Sequence, residues 1–233
     1  MTQTPDEAGA LGRIDILEGL EPAVLASLAA GCRWRRHAPG AVLIAQDELG
    51  ADVFFLVEGT ARVLDTGPDG REVTYSVVDA GAVLGELAAL DGGGRSASVV
   101  ATTVCRTAQI QAKAFRELLL AHPEVALALL KRLARALRFA DLQITELATM
   151  GAVQRIARHL LRLPARGEDT AFVIDPLPTQ ESNASATGTT RETVGRIMVQ
   201  LRQAGVVARQ GRSLRVPLPA KLRALAELDE PGA

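Results

Sequence analysis

The sequence predicts an α+β fold in three parts: a barrel or sandwich of short strands over 1–122, one long helix over 123–150, and a winged helix-turn-helix over 151–233. Three observations carry this reading. Short β-prone runs punctuated by glycines fill Ala41 to Ile110. A segment opened by Pro123 then runs to about Thr149 with no internal Gly or Pro. Beyond Gly151 the chain becomes basic and reads as helices followed by a hairpin.

Taken in order, Pro22 stands at a first helical position, and Val24, Leu25 and Leu28 follow at helical spacing, so a short helix over Pro22 to Ala30 leads into the barrel. The strand runs are Ala41 to Ile44, Val53 to Val57, Thr60 to Leu64, Val73 to Val78, Ala97 to Ala101 and Val104 to Ile110. Asp69-Gly70 between the third and fourth is a hairpin signal. In the long helix, Leu127, Leu130, Ala134, Leu137, Ile144 and Ala148 alternate spacings of 3 and 4, the seam of a paired helix, which points to a homodimer. Leu129, Leu133, Ala136 and Leu147 form a second apolar stripe that suits packing on the chain's own barrel.

Gly151 marks a hinge, and Val153, Ile156, Ala157, Leu160 and Leu161 describe an amphipathic helix ending before Pro164. A polar loop is expected over Ala165 to Thr170, then a strand over Phe172 to Ile174. Two helices, Thr179 to Thr187 and Thr190 to Gln203, flank Gly188, and Val206 to Arg209 with Leu214 to Val216 make a small wing turned at Gln210-Gly211.

Composition bounds the function. At 233 residues and 48% hydrophobic content the chain buries a real core. It has no apolar run of about 18 residues and no basic, apolar leader, so a cytoplasmic location and no membrane partner are expected. Cys32 and Cys105 are too few for a disulfide framework, and His37, His122 and His159 lack metal-ligand spacing, so no metal is expected. No Walker loop, H-E-x-x-H, nucleophile elbow or paired-carboxylate site appears, which argues against an enzyme. Charge is uneven: residues 1–151 carry 14 Lys/Arg against 19 Asp/Glu, whereas 152–226 carry 12 against 5. A basic C-terminal unit is the footprint of a phosphate-backbone binder, although a solvated basic face has the same composition.

Two constellations carry chemistry. The first is Gly85-Glu86-Leu87-Ala88, followed after Gly92, Gly93 and Gly94 by Arg95-Ser96-Ala97. A cyclic nucleotide presents one phosphodiester and a ribose hydroxyl, so its pocket needs a fixed cation, small donors and an acceptor. Arg95 can supply a forked guanidinium, Ser96 a hydroxyl and Glu86 an acceptor, while glycines admit backbone N–H groups close to the anion. As chemistry alone, a glycine-rich loop with an arginine is more often a plain loop.

With those residues in view, the sequence resembles the cyclic AMP receptor protein (CRP/FNR) family, whose phosphate-binding pattern is matched by Gly85, Glu86, Leu87, Ala88, Arg95, Ser96 and Ala97. The resemblance implies that the barrel is a cyclic-nucleotide-binding jelly roll, in which Glu86 holds the ribose hydroxyl while Arg95 and Ser96 hold the phosphate. It extends to the second constellation, Thr189-Thr190-Arg191-Glu192-Thr193-Val194-Gly195-Arg196, as the start of a recognition helix. Thr189 to Glu192 also fits a capping box, a structural reading of the same residues. The resemblance makes Arg191, Glu192 and Arg196 readers of base edges and Thr179 a phosphate contact, with Thr189 and Thr190 at the DNA-facing turn. It implies a cyclic nucleotide effector (cAMP, cGMP or related), and as partners a second copy of the chain, a double-stranded palindrome with TGTGA-like half-sites, and RNA polymerase.

Five residues, at three places, depart from the family. Asn183 and Ala186 stand where larger apolar side chains are usual, which is expected to loosen the first helix of the motif. Ala140 and Asp141 replace an adenine-contacting pair on the long helix, and Asp141 can accept from a guanine N–H pair, favouring cyclic GMP, or stand as a solvated carboxylate. Asp47 replaces a usual glycine. Two rival functions stay open: a regulator of this fold that needs no nucleotide, and a nucleotide-binding signalling module acting through protein contacts.

Overall fold

The computed structural model describes residues 6–46, 48–66, 72–168 and 170–227; Asp47 and the Asp69-Gly70 turn lie outside the described residues. The chain forms two compact units, Met1–Ala136 and Leu137–Ala233, and the longest helix spans the boundary between them.

The first unit opens with α1 (Glu7–Leu11) and α2 (Pro22–Gly31), then β1 (Arg33–His37), β2 (Val42–Ile44), β3 (Val53–Glu58), β4 (Thr60–Thr66), β5 (Glu72–Asp79) and β6 (Val83–Leu84). It continues through α3 (Glu86–Asp91), β7 (Ser98–Ala101), β8 (Cys105–Ile110) and α4 (Ala112–Ala121) into α5 (Pro123–Thr149). The strands build two four-stranded sheets, β1-β8-β3-β6 and β2-β7-β4-β5, with every pairing antiparallel. Two sheets of this kind are the jelly roll expected above.

β3 shows why its sequence lacks alternation: both of its faces are covered. Phe54 and Leu56 join Leu43, Ile44, Ala61, Leu84 and Val99 in one core. Val53, Phe55 and Val57 point the other way, into a cluster with Leu11, Leu25, Phe115, Val125 and Leu129 from the helices. A strand buried on both sides reads as a continuous apolar run. By contrast β1, Arg-Trp-Arg-Arg-His, sits at a sheet edge and buries no residue fully, so its charges concealed it in the sequence. Trp34 is held there by donating to the Ala29 carbonyl at 3.1 Å and by the Arg106 guanidinium, 4.5 Å above its ring.

α5 carries the outer stripe read from the sequence but only half of the inner one, because Ala136 and Leu147, expected to pack on the barrel, are exposed. Val125 and Leu129 are buried in the first unit's core and Leu133 packs against it, whereas Leu127, Leu130, Leu137 and Ile144 are 52–66% exposed. Among the described residues no helix is long and apolar enough to cross a membrane.

The second unit contains the C-terminal turns of α5, then α6 (Ala152–Arg162), β9 (Ala165–Glu168), β10 (Ala171–Ile174), α7 (Gln180–Ala186), α8 (Arg191–Gln203), β11 (Ala208–Gln210), β12 (Ser213–Val216) and α9 (Pro219–Glu227). Its sheet has the order β11-β12-β10-β9, and Ile156, Leu160, Ile174, Val194, Ile197, Leu201, Leu214 and Leu222 form the core beneath it. The polar loop expected from Ala165 is a correction: Ala165 to Glu168 pair with Ile174 to Ala171 as a strand. All four residues are exposed, so no apolar face betrayed the pairing. Gly151 caps α6, its N–H donating to Gln154 Oε1 at 2.8 Å.

Candidate functional site

The seven barrel residues singled out by the sequence, Gly85, Glu86, Leu87, Ala88, Arg95, Ser96 and Ala97, line one cavity of about 200 Å³. The turn into α3 explains how. Gly85 has φ +78°, and a Cβ there would lie 2.4 Å from Arg95 Nη1 and 3.0 Å from the Asp52 carbonyl, so glycine is what lets the arginine cross this backbone. Arg95 is 8% exposed; its Nη1 donates to the Gly85 carbonyl at 3.2 Å and its Nη2 to the Asp52 carbonyl at 2.9 Å. Its guanidinium stands 6.0 Å above the Phe54 ring. Burial pulls the Arg95 pKa below its ordinary value, opposed by the charges of Asp52 and Glu48. A buried, carbonyl-anchored cation facing a cavity has the chemistry to receive an anion with little orientation left to lose.

Glu86 opens α3 and lines the same cavity, and burial raises its pKa, with its own backbone N–H and Arg132 pulling the other way. The apolar wall comes from Ile44, Val63, Val78, Leu84 and Val99. Arg132, from α5, also lines the cavity and went unnoticed in the sequence. Lying beside Lys131 and close to Arg135 and Arg138, it reads there as one more solvated charge. Asp141, the remaining candidate for ligand binding, is exposed on the part of α5 that belongs to the second unit, its carbonyl accepting from Thr145 Oγ1 at 3.0 Å. Among the described residues no group of His, Cys, Asp and Glu is arranged to hold a metal ion.

In the second unit, Thr179 caps α7, accepting from the Ser182 N–H at 3.1 Å. The capping box expected from Thr189 to Glu192 is not formed: α8 is capped one residue later by Thr190, which accepts from the Thr193 N–H at 3.1 Å, and Thr189 instead donates its N–H to the Ala184 carbonyl at 3.0 Å. Val194, Ile197, Met198 and Leu201 turn inward, leaving Thr190, Arg191, Glu192 and Arg196 exposed at the helix's N-terminal turns. The turn between α7 and α8 is pinned from beneath: Arg155 donates to the Thr187 carbonyl at 2.8 Å, and Gln143 Nε2 donates to the Ser185 and Ala186 carbonyls at 3.1 Å each. Gly188, at φ +56°, leaves room for Leu147, whose Cδ2 would sit 2.7 Å from an added Cβ.

The loosened packing expected at Asn183 is not found. Asn183 is buried, its Oδ1 lies 2.9 Å from His159 Nε2 and its Nδ2 donates to the Pro178 carbonyl at 3.1 Å, so hydrogen bonds replace the missing apolar contact. Burial, set against the bond to Asn183, draws the His159 pKa below its ordinary value. Asn183→Leu alone is expected to lose about 1–3 kcal/mol by stranding the imidazole. Asn183→Leu with His159→Leu should recover most of that loss in urea unfolding, and a double variant no better than the single one would show that the pair is not a unit.

Comparison with known proteins places two family models on the chain: a cyclic nucleotide-binding domain over residues 34–122 and a Crp-like helix-turn-helix domain over residues 154–225. The cAMP-activated global transcriptional regulator CRP of Salmonella typhimurium is 31% identical over 187 residues, covering 78% of this chain and 89% of that protein. The CRP-like cAMP-activated global transcriptional regulator of Mycobacterium tuberculosis is 28% identical over 207 residues, covering 88% and 92%. Among solved structures, the catabolite activator protein of Thermus thermophilus aligns with 30% identity and a TM-score of 0.53, covering 91% of this chain and 98% of that one.

Proposed function

Because the chain belongs to the cyclic AMP receptor protein (CRP/FNR) family of transcription regulators, we propose that a purine cyclic nucleotide held in its barrel sets the affinity of a homodimer for palindromic DNA. One observation carries the reading: Glu86, Arg95 and Ser96 line a single cavity, in which an acceptor, a fixed cation and a hydroxyl match the three polar demands of such a ligand. Arg95 and Ser96 bind the phosphodiester, and Glu86 accepts from the ribose hydroxyl. α5 supports the dimer through Leu127, Leu130, Leu137 and Ile144, exposed along one helical stripe. Arg191, Glu192 and Arg196 read base edges, Thr179 contacts a phosphate from the start of α7, and Thr189 and Thr190 stand at the DNA-facing turn before α8. Ligand binding shifts a population between helix pairings, and the two recognition helices reach successive major grooves when about 34 Å apart.

The test is a titration of the full chain with a duplex carrying TGTGA half-sites, without nucleotide and with cyclic AMP or cyclic GMP. Binding is expected to tighten with one of the nucleotides and to fall steeply with salt. Arg196→Ala should weaken it about tenfold to a hundredfold, with discrimination lost at one base position. Salt-insensitive binding, or none under any condition, would remove the DNA-reading role. The reading of Asp141 as an acceptor for guanine predicts that Asp141→Ala erases any preference for cyclic GMP, whereas an unchanged preference makes it a solvated carboxylate. One observation favours a nucleotide-independent regulator instead: Arg95 already donates to two carbonyls. Equal DNA affinity with and without nucleotide would select that reading.

Glu86 adds a pH dependence. Its proton is held more tightly than an ordinary carboxylic acid's because burial penalises the charge, whereas the ribose hydroxyl needs the carboxylate as acceptor. Binding therefore releases a proton, and nucleotide affinity should decline as pH falls through the raised pKa and level off above it. Calorimetry between pH 5 and pH 8 should show that slope in the wild type and a flat profile in Glu86→Gln.

A further inference from the structure

Arg132 stands where three influences meet. Its Nη2 donates to the Val83 carbonyl at 3.1 Å, its Nη1 lies 3.7 Å from Asp15 Oδ2, and its side chain lines the cavity that also holds Glu86 and Arg95. The side chain of Asp15 is 66% exposed and that of Arg132 26%, so the ion pair between them faces water and is weak. A guanidinium has five N–H donors, and the bond to Val83 with the Asp15 pairing does not exhaust them. Asp15 is placed for this by its own backbone, since its N–H donates to the Gly81 carbonyl at 3.0 Å. Arg132 belongs to α5, whereas every other cavity residue comes from the barrel and α3.

From this geometry we infer that Arg132 is a second cationic contact for the nucleotide, for which Asp15 is an internal competitor. An anionic ligand draws the guanidinium toward the cavity and away from Asp15, and α5, which carries Arg132, registers the exchange. The inference rests on the barrel being a nucleotide site and adds how occupancy reaches the helix. Its mark is a pair of substitutions with opposite signs. Removing Arg132 removes an attraction, whereas neutralising Asp15 frees the arginine for the ligand.

The experiment is calorimetry of the full chain with cyclic AMP and cyclic GMP for the wild type, Asp15→Asn, Arg132→Gln and the double variant. Arg132→Gln is expected to weaken binding about tenfold, as for a lost charge-assisted hydrogen bond. Asp15→Asn should tighten it about twofold to fivefold, the worth of an exposed ion pair. The double variant decides between two causes, because a lost negative charge also favours an anionic ligand through space. If Asp15 acts through Arg132, its gain vanishes in the Arg132→Gln background. A gain that persists there, or an Arg132→Gln affinity equal to wild type, overturns the inference while leaving the pocket standing. Binding of neither nucleotide by the wild type overturns the reading of the pocket and this inference with it.

Discussion

Replacing Arg95 by leucine is expected to weaken cyclic nucleotide binding by about a hundredfold or more. The phosphodiester is the one full charge such a ligand carries, and truncating one partner of a buried, hydrogen-bonded charge pair costs about 2–5 kcal/mol. Arg95 is suited to that role because its guanidinium is already oriented: the Gly85 and Asp52 carbonyls and the Phe54 face hold it. Arg95→Lys should fall in between, since an ammonium keeps the charge but cannot form the planar fork. The leucine variant also strands two part-buried carbonyls, so unfolding must be followed in parallel, with a loss of about 1–3 kcal/mol expected. Folded Arg95→Leu protein that binds within threefold of wild type would show that the anion lies elsewhere.

Much of this arrangement was legible because the determining residues are close in the chain. α5 ends at Thr149, where the sequence reading ended it, since nothing inside it breaks a helix. The pocket's residues from Gly85 to Ala97 fall within thirteen positions, so the passage from α3 through the glycine loop toward β7 brings its predicted polar groups together. Features that escaped the reading depend on partners far away. β9 is a strand only because β10 pairs with it, and its own residues are all exposed. β1 is charged because it closes a sheet edge. Asn183 looked like a packing defect until His159, 24 positions earlier, was found against it. Arg132 appeared solvated because periodicity reports which face of a helix is apolar, not which of its long cations folds back over a cavity.

The same limit applies to Glu146, which no sequence pattern distinguished and which governs the largest stability effect expected in the second unit. Its side chain is only 5% exposed and pairs with Arg162 Nη2 and, at 3.5 Å, with Arg158 Nε. The two arginines sit one turn apart on α6, so they hold the last turns of α5 together with α6. Truncating both leaves a buried carboxylate without a counter-charge, which costs about 3–5 kcal/mol. Arg158→Ala with Arg162→Ala should therefore lower the melting temperature of this unit by about 15 °C or more. The reverse deletion is milder: Glu146→Gln leaves arginines that are 37% and 38% exposed, and these regain water, so about 1 kcal/mol is expected. α6 also carries Arg155, which pins the turn before α8, so the double variant should lose DNA affinity while the barrel keeps its affinity for nucleotide. Scanning calorimetry with a nucleotide titration on the same sample separates these effects. Equal losses from the double arginine variant and from Glu146→Gln would mean that the carboxylate is solvated rather than enclosed.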